Sequence, residues 1–190
     1  MAPQPETYVS VDVETAGPNP ADYALLSIGA CLVDDPDQTF YVELQPVTDR
    51  SVPEALEISG LSLERLARDG LPPAQAMGDF AAWLQRVVPP NQLPVFVGFN
   101  AAFDWMFVAD YFHRYLGHNP FGHTALDIKA FYMGLSGVAW SETTKAALAA
   151  RFPDHPTLTH HALQDALDQA ALFRRMRQEA RSHDSPFDAV

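Results

Sequence analysis

From Tyr8 to Glu14 the apolar residues Val9, Val11 and Val13 alternate with Ser10, Asp12 and Glu14, a period of two that predicts a strand with one apolar and one polar face. Asp12 and Glu14 then point the same way. After the breaker Gly17-Pro18-Asn19-Pro20, the stretches Leu26 to Val33 and Thr39 to Leu44 read as two more strands, separated by Asp34-Asp35-Pro36-Asp37. An antiparallel meander is expected. A short apolar piece near Pro53 to Ile58 precedes a helix over Ala74 to Val88, where Phe80, Trp83, Leu84 and Val87 share one stripe and Pro89-Pro90 ends the run. Pro94 to Gly98 predicts a short strand. Asn100 is placed to cap a helix running through Phe103, Met106, Phe107 and Tyr111 to Leu116, with Gly117 as its stop. Thr124 to Asp127 predicts a fifth strand, followed by a short helix, a helix near Glu142 to Arg151 and a last helix from Ala162 to Ala180. Strands first, then helix and strand in alternation, predict an α/β fold: a mixed five-stranded sheet, three antiparallel strands then two parallel, with helices on both faces.

Composition adds bounds to that pattern. With 47% apolar and 19% charged residues the chain has a globular balance. Its 190 residues predict one domain over 8–181, with flexible tails at 1–7 and 182–190. The single Cys31 excludes an internal disulfide and a thiolate zinc site, and reads as a buried small apolar residue. Neither a signal peptide nor a run of ~18 apolar residues is present, so a cytoplasmic protein without a membrane partner is expected. The net charge of −12 argues against a broad basic surface that grips long duplexes. Bound divalent cations would reverse the sign a phosphate meets locally, which leaves short single-stranded ends as suitable substrates.

The acids decide the chemistry. Cleaving a phosphodiester needs an activated attacking oxygen, neutralised non-bridging oxygens and a stabilised leaving oxygen, which two divalent ions about 3.5–4 Å apart supply together. Mg²⁺ and Mn²⁺ prefer carboxylate and water oxygens, so several Asp or Glu must converge from separate elements. Asp12 and Glu14 share one strand face, Asp104 sits one helical turn after Asn100, and Asp165 opens the last helix in His160-His161-Ala162-Leu163-Gln164-Asp165.

These segments resemble the DEDD exonuclease superfamily in its histidine-bearing branch (DEDDh, DnaQ-like), whose motifs D-x-E, N-x-x-x-D and H-x-x-x-x-D come in this order. Here they are Asp12 to Glu14, Asn100 to Asp104 and His160 to Asp165. Each motif alone is weak; their joint order and setting are specific. Over roughly residues 8 to 176 the chain is also similar to the ribonuclease T group, in Asp12 to Gly17, Ala24 to Leu26, Pro53 to Leu56 with Gly60, Asn119 to Phe121, and Leu172-Phe173. The resemblance implies an RNase H-like fold and two divalent cations, Mg²⁺ or Mn²⁺, held by Asp12, Glu14, Asp104 and Asp165. It implies His160 as general base and removal of 5′ nucleotides from single-stranded 3′ ends, RNA ahead of DNA, by a homodimer. Only the five-residue step to Asp165 selects His160 over His161. Thr15, Ala16, Asn100 and Phe103 are the candidate substrate contacts. Where that group carries base-stacking aromatics, this chain has Pro18 and Ile58, which predicts a weaker or redirected terminal-base preference.

Ordinary readings stand beside these. Asp127 is an auxiliary acid or a strand-end turn residue. Asp168 belongs to the surface or supports the site, and Arg174-Arg175-Met176-Arg177 reads as a solvated helix end. His113, His118, His123 and His155 lack a paired ligand spacing, while Trp83, Trp105 and Trp140 read as core or interface aromatics, with Trp105 also placed to line a cleft. The alternatives in function are a DNA 3′–5′ exonuclease of the repair or proofreading type and a non-catalytic RNase H-like binding module.

Overall fold

The alternating stretch near the start becomes β1 (Glu6–Thr15), the middle strand of the sheet. It pairs antiparallel with β2 (Leu25–Leu32), which pairs antiparallel with β3 (Thr39–Glu43). On its other side β1 runs parallel to β4 (Leu93–Gly98), which runs parallel to β5 (Ala125–Asp127), giving the order β3-β2-β1-β4-β5. This is the expected mixed sheet. The structure, a computed structural model, describes residues 4–152 and 160–183.

Seven helices lie among the described residues: α1 (Pro53–Ser59), α2 (Leu63–Asp69), α3 (Pro73–Val87), α4 (Ala102–Leu116), α5 (Ile128–Ser136), α6 (Lys145–Arg151) and α7 (Ala162–His183), with a 3-10 turn at Trp140–Glu142. Val9, Val11, Val13, Ile28 and Ala30 pack on one face of the sheet against Phe80, Trp83 and Leu84 of α3 and Phe107, Tyr111 and Phe112 of α4. On the opposite face Cys31, Val33 and Val97 meet Ile128 and Tyr132 of α5 and Ala170, Phe173 and Met176 of α7. Helices therefore cover both faces, and each large side chain buried this way contributes about 1.5–3 kcal/mol.

Local expectations differ in four places. Glu6 and Thr7, expected as tail, are strand residues paired with Leu93 and Pro94. At the other end α7 takes in Ser182 and His183; residues 1–3 and 184–190 lie outside the described part. The piece near Pro53 is α1, ended by Gly60 in the left-handed region, and an unexpected second helix follows it, α2, which Ser62 caps by accepting from the Arg65 N–H. Asn100 does not cap α4: the cap position is Ala101, and Asn100 itself has φ 64. Its backbone N–H donates to Asp127 Oδ1 at 3.1 Å, so the chain turns there on a tertiary contact that local sequence does not reveal.

One glycine sets how close α7 comes to the sheet. Gly29 of β2 is the cross-strand partner of Asp12, and a Cβ built on it would lie 2.1 Å from the Ala162 carbonyl carbon and 2.2 Å from the Leu163 nitrogen. The first turn of α7 thus rests its backbone on the strand. Ala162, Ala166 and Ala170 form a small-residue stripe, all fully buried, that keeps the helix low along its length. Ser10 Oγ donates to the Ala166 carbonyl at 2.7 Å and fixes the helix along its axis.

Gly29→Ala is expected to destabilise the fold by about 1–3 kcal/mol or more, lowering Tm by about 2–4 °C per kcal/mol. Gly78→Ala, inside α3 where a Cβ meets nothing within 4 Å, should instead raise Tm through an intrinsic helix gain of about 1 kcal/mol. Thermal melts followed by circular dichroism compare the two. A Gly29→Ala protein melting at or above the parent would refute the close-approach account.

Candidate active site

Because β1 alternates, Ser10, Asp12 and Glu14 all face α7 while the three valines face α3 and α4. With α7 held down at Gly29 and Ser10, its first-turn acid Asp165 meets the pair from β1. One carboxylate oxygen from each of Asp12, Glu14 and Asp165 lies within 4.8 Å of the others. Two elements far apart in sequence thus bring three carboxylate oxygens to one point. Asp165 is 3% exposed; Asp12 and Glu14 are half-buried.

Asp104 stands next to this trio and has a second job. The parallel pairing of β1 with β4 ends at Ser10 and Val97, and farther along β1 the Val13 N–H donates to Asp104 Oδ1 at 3.1 Å. The carboxylate takes over as partner where the neighbouring strand has stopped. Asp104 is 5% exposed.

Three of these carboxyls resist ionising. Burial, then the charges of Asp104, Asp165 and Glu14, holds the Asp12 carboxyl well above its ordinary range. Burial and the Asp165 charge push Glu14 up to about 7. Burial also pushes Asp104 up to about 7, although its hydrogen bonds from the backbone oppose the shift. Lys145 lowers all three, the cation that these acids feel. A cluster of oxygen donors whose charge is so poorly compensated by the chain fits a hard divalent cation.

His160 is exposed and takes φ 53 two residues before α7 begins, ahead of Asp165. His161 is engaged elsewhere: its ring stacks on Tyr41 with centroids 4.6 Å apart. Thr15 is buried, its hydroxyl donating to the Gly17 carbonyl, and Ala16 is buried between hydrogen bonds to Ala24 and Val52. Phe103 leans on Phe107 at 5.5 Å. Asp127 Oδ1 accepts from both the Asn100 and Lys129 N–H groups, so that oxygen caps α5 and ties down the turn before α4.

One ordinary reading is overturned and two are narrowed. Of the two readings of Asp168, burial excludes the surface one: it is 3% exposed and accepts from Gln164 Nε2 at 2.9 Å. Arg174 and Arg177 are not solvated, because both side chains are held by the sheet side of the fold: Arg174 donates to the Val33 carbonyl and Arg177 to both oxygens of Asp34, with its guanidinium 4.4 Å from the Tyr8 ring centroid. Trp105 packs edge-on against Phe96 in the core, whereas Trp140 is 48% exposed and not a core residue. His155 lies outside the described residues.

Sequence reasoning passed over Gln169. Its side chain donates to Asp12 Oδ1 at 2.5 Å and accepts the Phe99 N–H at 2.9 Å, a buried bridge from the end of β4 to the acid cluster. The available signal was its spacing, four residues after Asp165 and so on the same helix face.

Residues 9–173 match the family model described as the RNase T exonuclease. A 3′–5′ DNA exonuclease, Cap18 of Escherichia coli, is 48% identical over 174 residues, covering 92% of this chain and 93% of the relative. Ribonuclease T of Yersinia pseudotuberculosis is 32% identical over 178 residues, covering 87% of this chain and 81% of that one. The crystal structure of the nuclease domain of 3′hExo, a DEDDh family member, shares the fold with a TM-score of 0.75 at 14% identity over 92% of each chain. The sheet order and flanking helices are those of the RNase H-like exonuclease fold.

The raised carboxyls fix a pH dependence. Glu14 and Asp104 hold protons up to about pH 7 in the metal-free fold, whereas unfolded carboxyls release them near ~4. The folded state binds more protons between those values, so this contribution to stability is present below the unfolded pKa and is lost as pH rises through about 7. In EDTA the Tm is expected to fall between pH 5.5 and 8, and less steeply in Glu14→Gln. Millimolar Mn²⁺ should raise Tm at pH 8 and change little at pH 5.5; equal shifts at both would count against a cation at these acids.

Proposed function

The chain belongs to the RNase T exonuclease family and is a 3′–5′ exonuclease, and we propose from this that it removes 5′ nucleotides from single-stranded DNA 3′ ends using two divalent cations, Mg²⁺ or Mn²⁺. The observation that supports phosphodiester chemistry at this place is the convergence of Asp12, Glu14 and Asp165 oxygens within 4.8 Å. DNA is favoured over RNA because the relative at 48% identity is a DNA exonuclease, while the ribonuclease T relative stands at 32%. RNA is the second reading, supported by that same 32% likeness over 87% of the chain.

Asp12, Glu14 and Asp165 are the residues proposed to hold the cations, with Asp104 adding its free lone pairs from the side of α4. When bound, such ions neutralise charge on the reacting phosphate and acidify water near it. Gln169 keeps Asp12 turned toward the cluster by its hydrogen bond to Oδ1. His160, at the head of α7, takes the proton from the attacking water on a ring nitrogen. His161 is spent on Tyr41. Of the four candidate substrate contacts, the exposed Asn100 and half-buried Phe103 are proposed to face the terminal nucleotide, while Thr15 and Ala16 are buried and shape the backbone beside Glu14.

The test uses 5′-labelled DNA and RNA oligomers of one sequence, single-stranded, with Mg²⁺ or Mn²⁺. A ladder shortening from the 3′ end, faster on DNA, is the expected result. Asp165→Asn should lose about 10³-fold or more of the rate, and His160→Ala about 10²–10⁴-fold while still showing the Mn²⁺-dependent rise in Tm. Faster digestion of RNA would overturn the DNA reading, and full activity in Asp165→Asn would overturn the site.

A further inference from the structure

In a chain of net charge −12 there are only two lysines, Lys129 and Lys145. Both come to the same ring. Lys129, in the first turn of α5, places Nζ 5.9 Å from the centroid of Phe99, and Lys145, opening α6, places its own at 5.4 Å. Lys129 Nζ also lies 4.3 Å from the ring centroid of Trp140 in the 3-10 turn. Trp140 is the exposed tryptophan, at 48%, whereas Trp83 is 2% exposed and Trp105 packs on the core. With the ammonium of Lys129 against one face of the indole, that exposure leaves ring surface open to solvent. Among the described residues neither lysine forms an ion pair with a carboxylate, although the chain is rich in them.

This group sits beside the acids. The Phe99 N–H is hydrogen-bonded to Gln169, and Gln169 to Asp12, so two hydrogen bonds separate the ring that both lysines face from the carboxylate cluster. Lys145 is also the cation whose field reaches Asp12, Glu14 and Asp104. A ligand that spans from the acids to this wall must be anionic along its length and carry flat apolar rings. A single nucleic-acid strand has that chemistry: phosphates for the ammonium groups and bases for the indole.

We propose that Phe99, Lys129, Trp140 and Lys145 form a strand-binding wall next to the carboxylate cluster, where Lys129 and Lys145 take backbone phosphates and Trp140 stacks on a base upstream of the 3′ end. The inference rests on the exonuclease reading and gives that reading a place where the uncut strand is held. It also resolves the charge problem: a wall of two cations suffices for a short single strand, and the rest of the surface stays acidic.

The test is binding without cleavage. The full chain in EDTA is titrated with a fluorescein-labelled ten-nucleotide thymidine oligomer, by anisotropy and by quenching of tryptophan fluorescence. Trp140→Ala should weaken binding by about 10-fold or more and abolish most of the quenching, while Trp140→Phe, which keeps a stacking ring, should recover most of the affinity. Lys129→Gln with Lys145→Gln should lower the slope of log affinity against log salt by about 1.4, two single-strand phosphate contacts at about 0.7 each. Circular dichroism melts confirm that the variants fold. Unchanged affinity and salt slope in variants of a parent that binds and digests DNA would overturn the wall alone. A parent that neither binds nor digests oligomers would overturn the exonuclease substrate reading and the wall with it.

Discussion

Helix α7 can lie against β2 only because position 29 has no side chain. The meeting of Asp165 with the β1 acids follows from that contact. The backbone of Ala162 and Leu163 occupies the space a Cβ would need, which sets the height of the helix above the sheet. The register of β1 against β2 puts Asp12 directly across from Gly29, so the place where the helix is lowest is also the place where the strand presents its first acid. Asp165, one turn into the helix, then has nowhere to point except toward Asp12 and Glu14. A helix raised by even a methyl group would separate the oxygens and relieve the repulsion among them. The geometry needed for a cation and the closeness that the fold tolerates are therefore one quantity.

The opposing force is desolvation of like charges. Asp12, Glu14 and Asp104 all hold their protons more tightly than free carboxyls, because burial removes the water that would stabilise their ionised forms. The chain offers only partial relief, through the Gln169 amide on Asp12, the Val13 N–H on Asp104 and the field of Lys145. Packing elsewhere must hold the cluster together, and it does so from both sides of the sheet: the aromatic core around Phe80 and Phe112 behind β1, and the Phe173 and Met176 face of α7 in front.

What could be seen in the sequence was what depends on short spacing. The two-residue alternation of β1 places Asp12 and Glu14 on one face without any knowledge of the rest, and five strands in a mixed sheet follow from period and breakers alone. Contacts between distant segments were not visible. Val13 and Asp104 are 91 residues apart, and Gln169 and Asp12 are 157 apart, so no window along the chain contains either bond. Asn100 looked like a helix cap because residue type carries no sign of φ; only the Asp127 carboxylate, brought in by β5, explains its left-handed backbone. The arginines of α7 looked solvated because their partners, Val33 and Asp34, belong to the opposite end of the chain. The lysines were passed over since each is unremarkable locally and only the fold brings them to one ring.

Asp104 illustrates how a site can become hard to lose. One of its oxygens completes the hydrogen bonding of β1 where β4 has run out, and a buried backbone N–H left without a partner costs about 1–3 kcal/mol. Glu14 carries no comparable duty toward the backbone among the described contacts. In a lineage that gave up catalysis, Glu14 would be free to drift to a neutral residue, with some gain from relieved repulsion, while Asp104 would remain under selection for folding. The order in which the acids decay would then record their division of labour, and an intact aspartate at this position is poor testimony that a descendant still cuts nucleic acid.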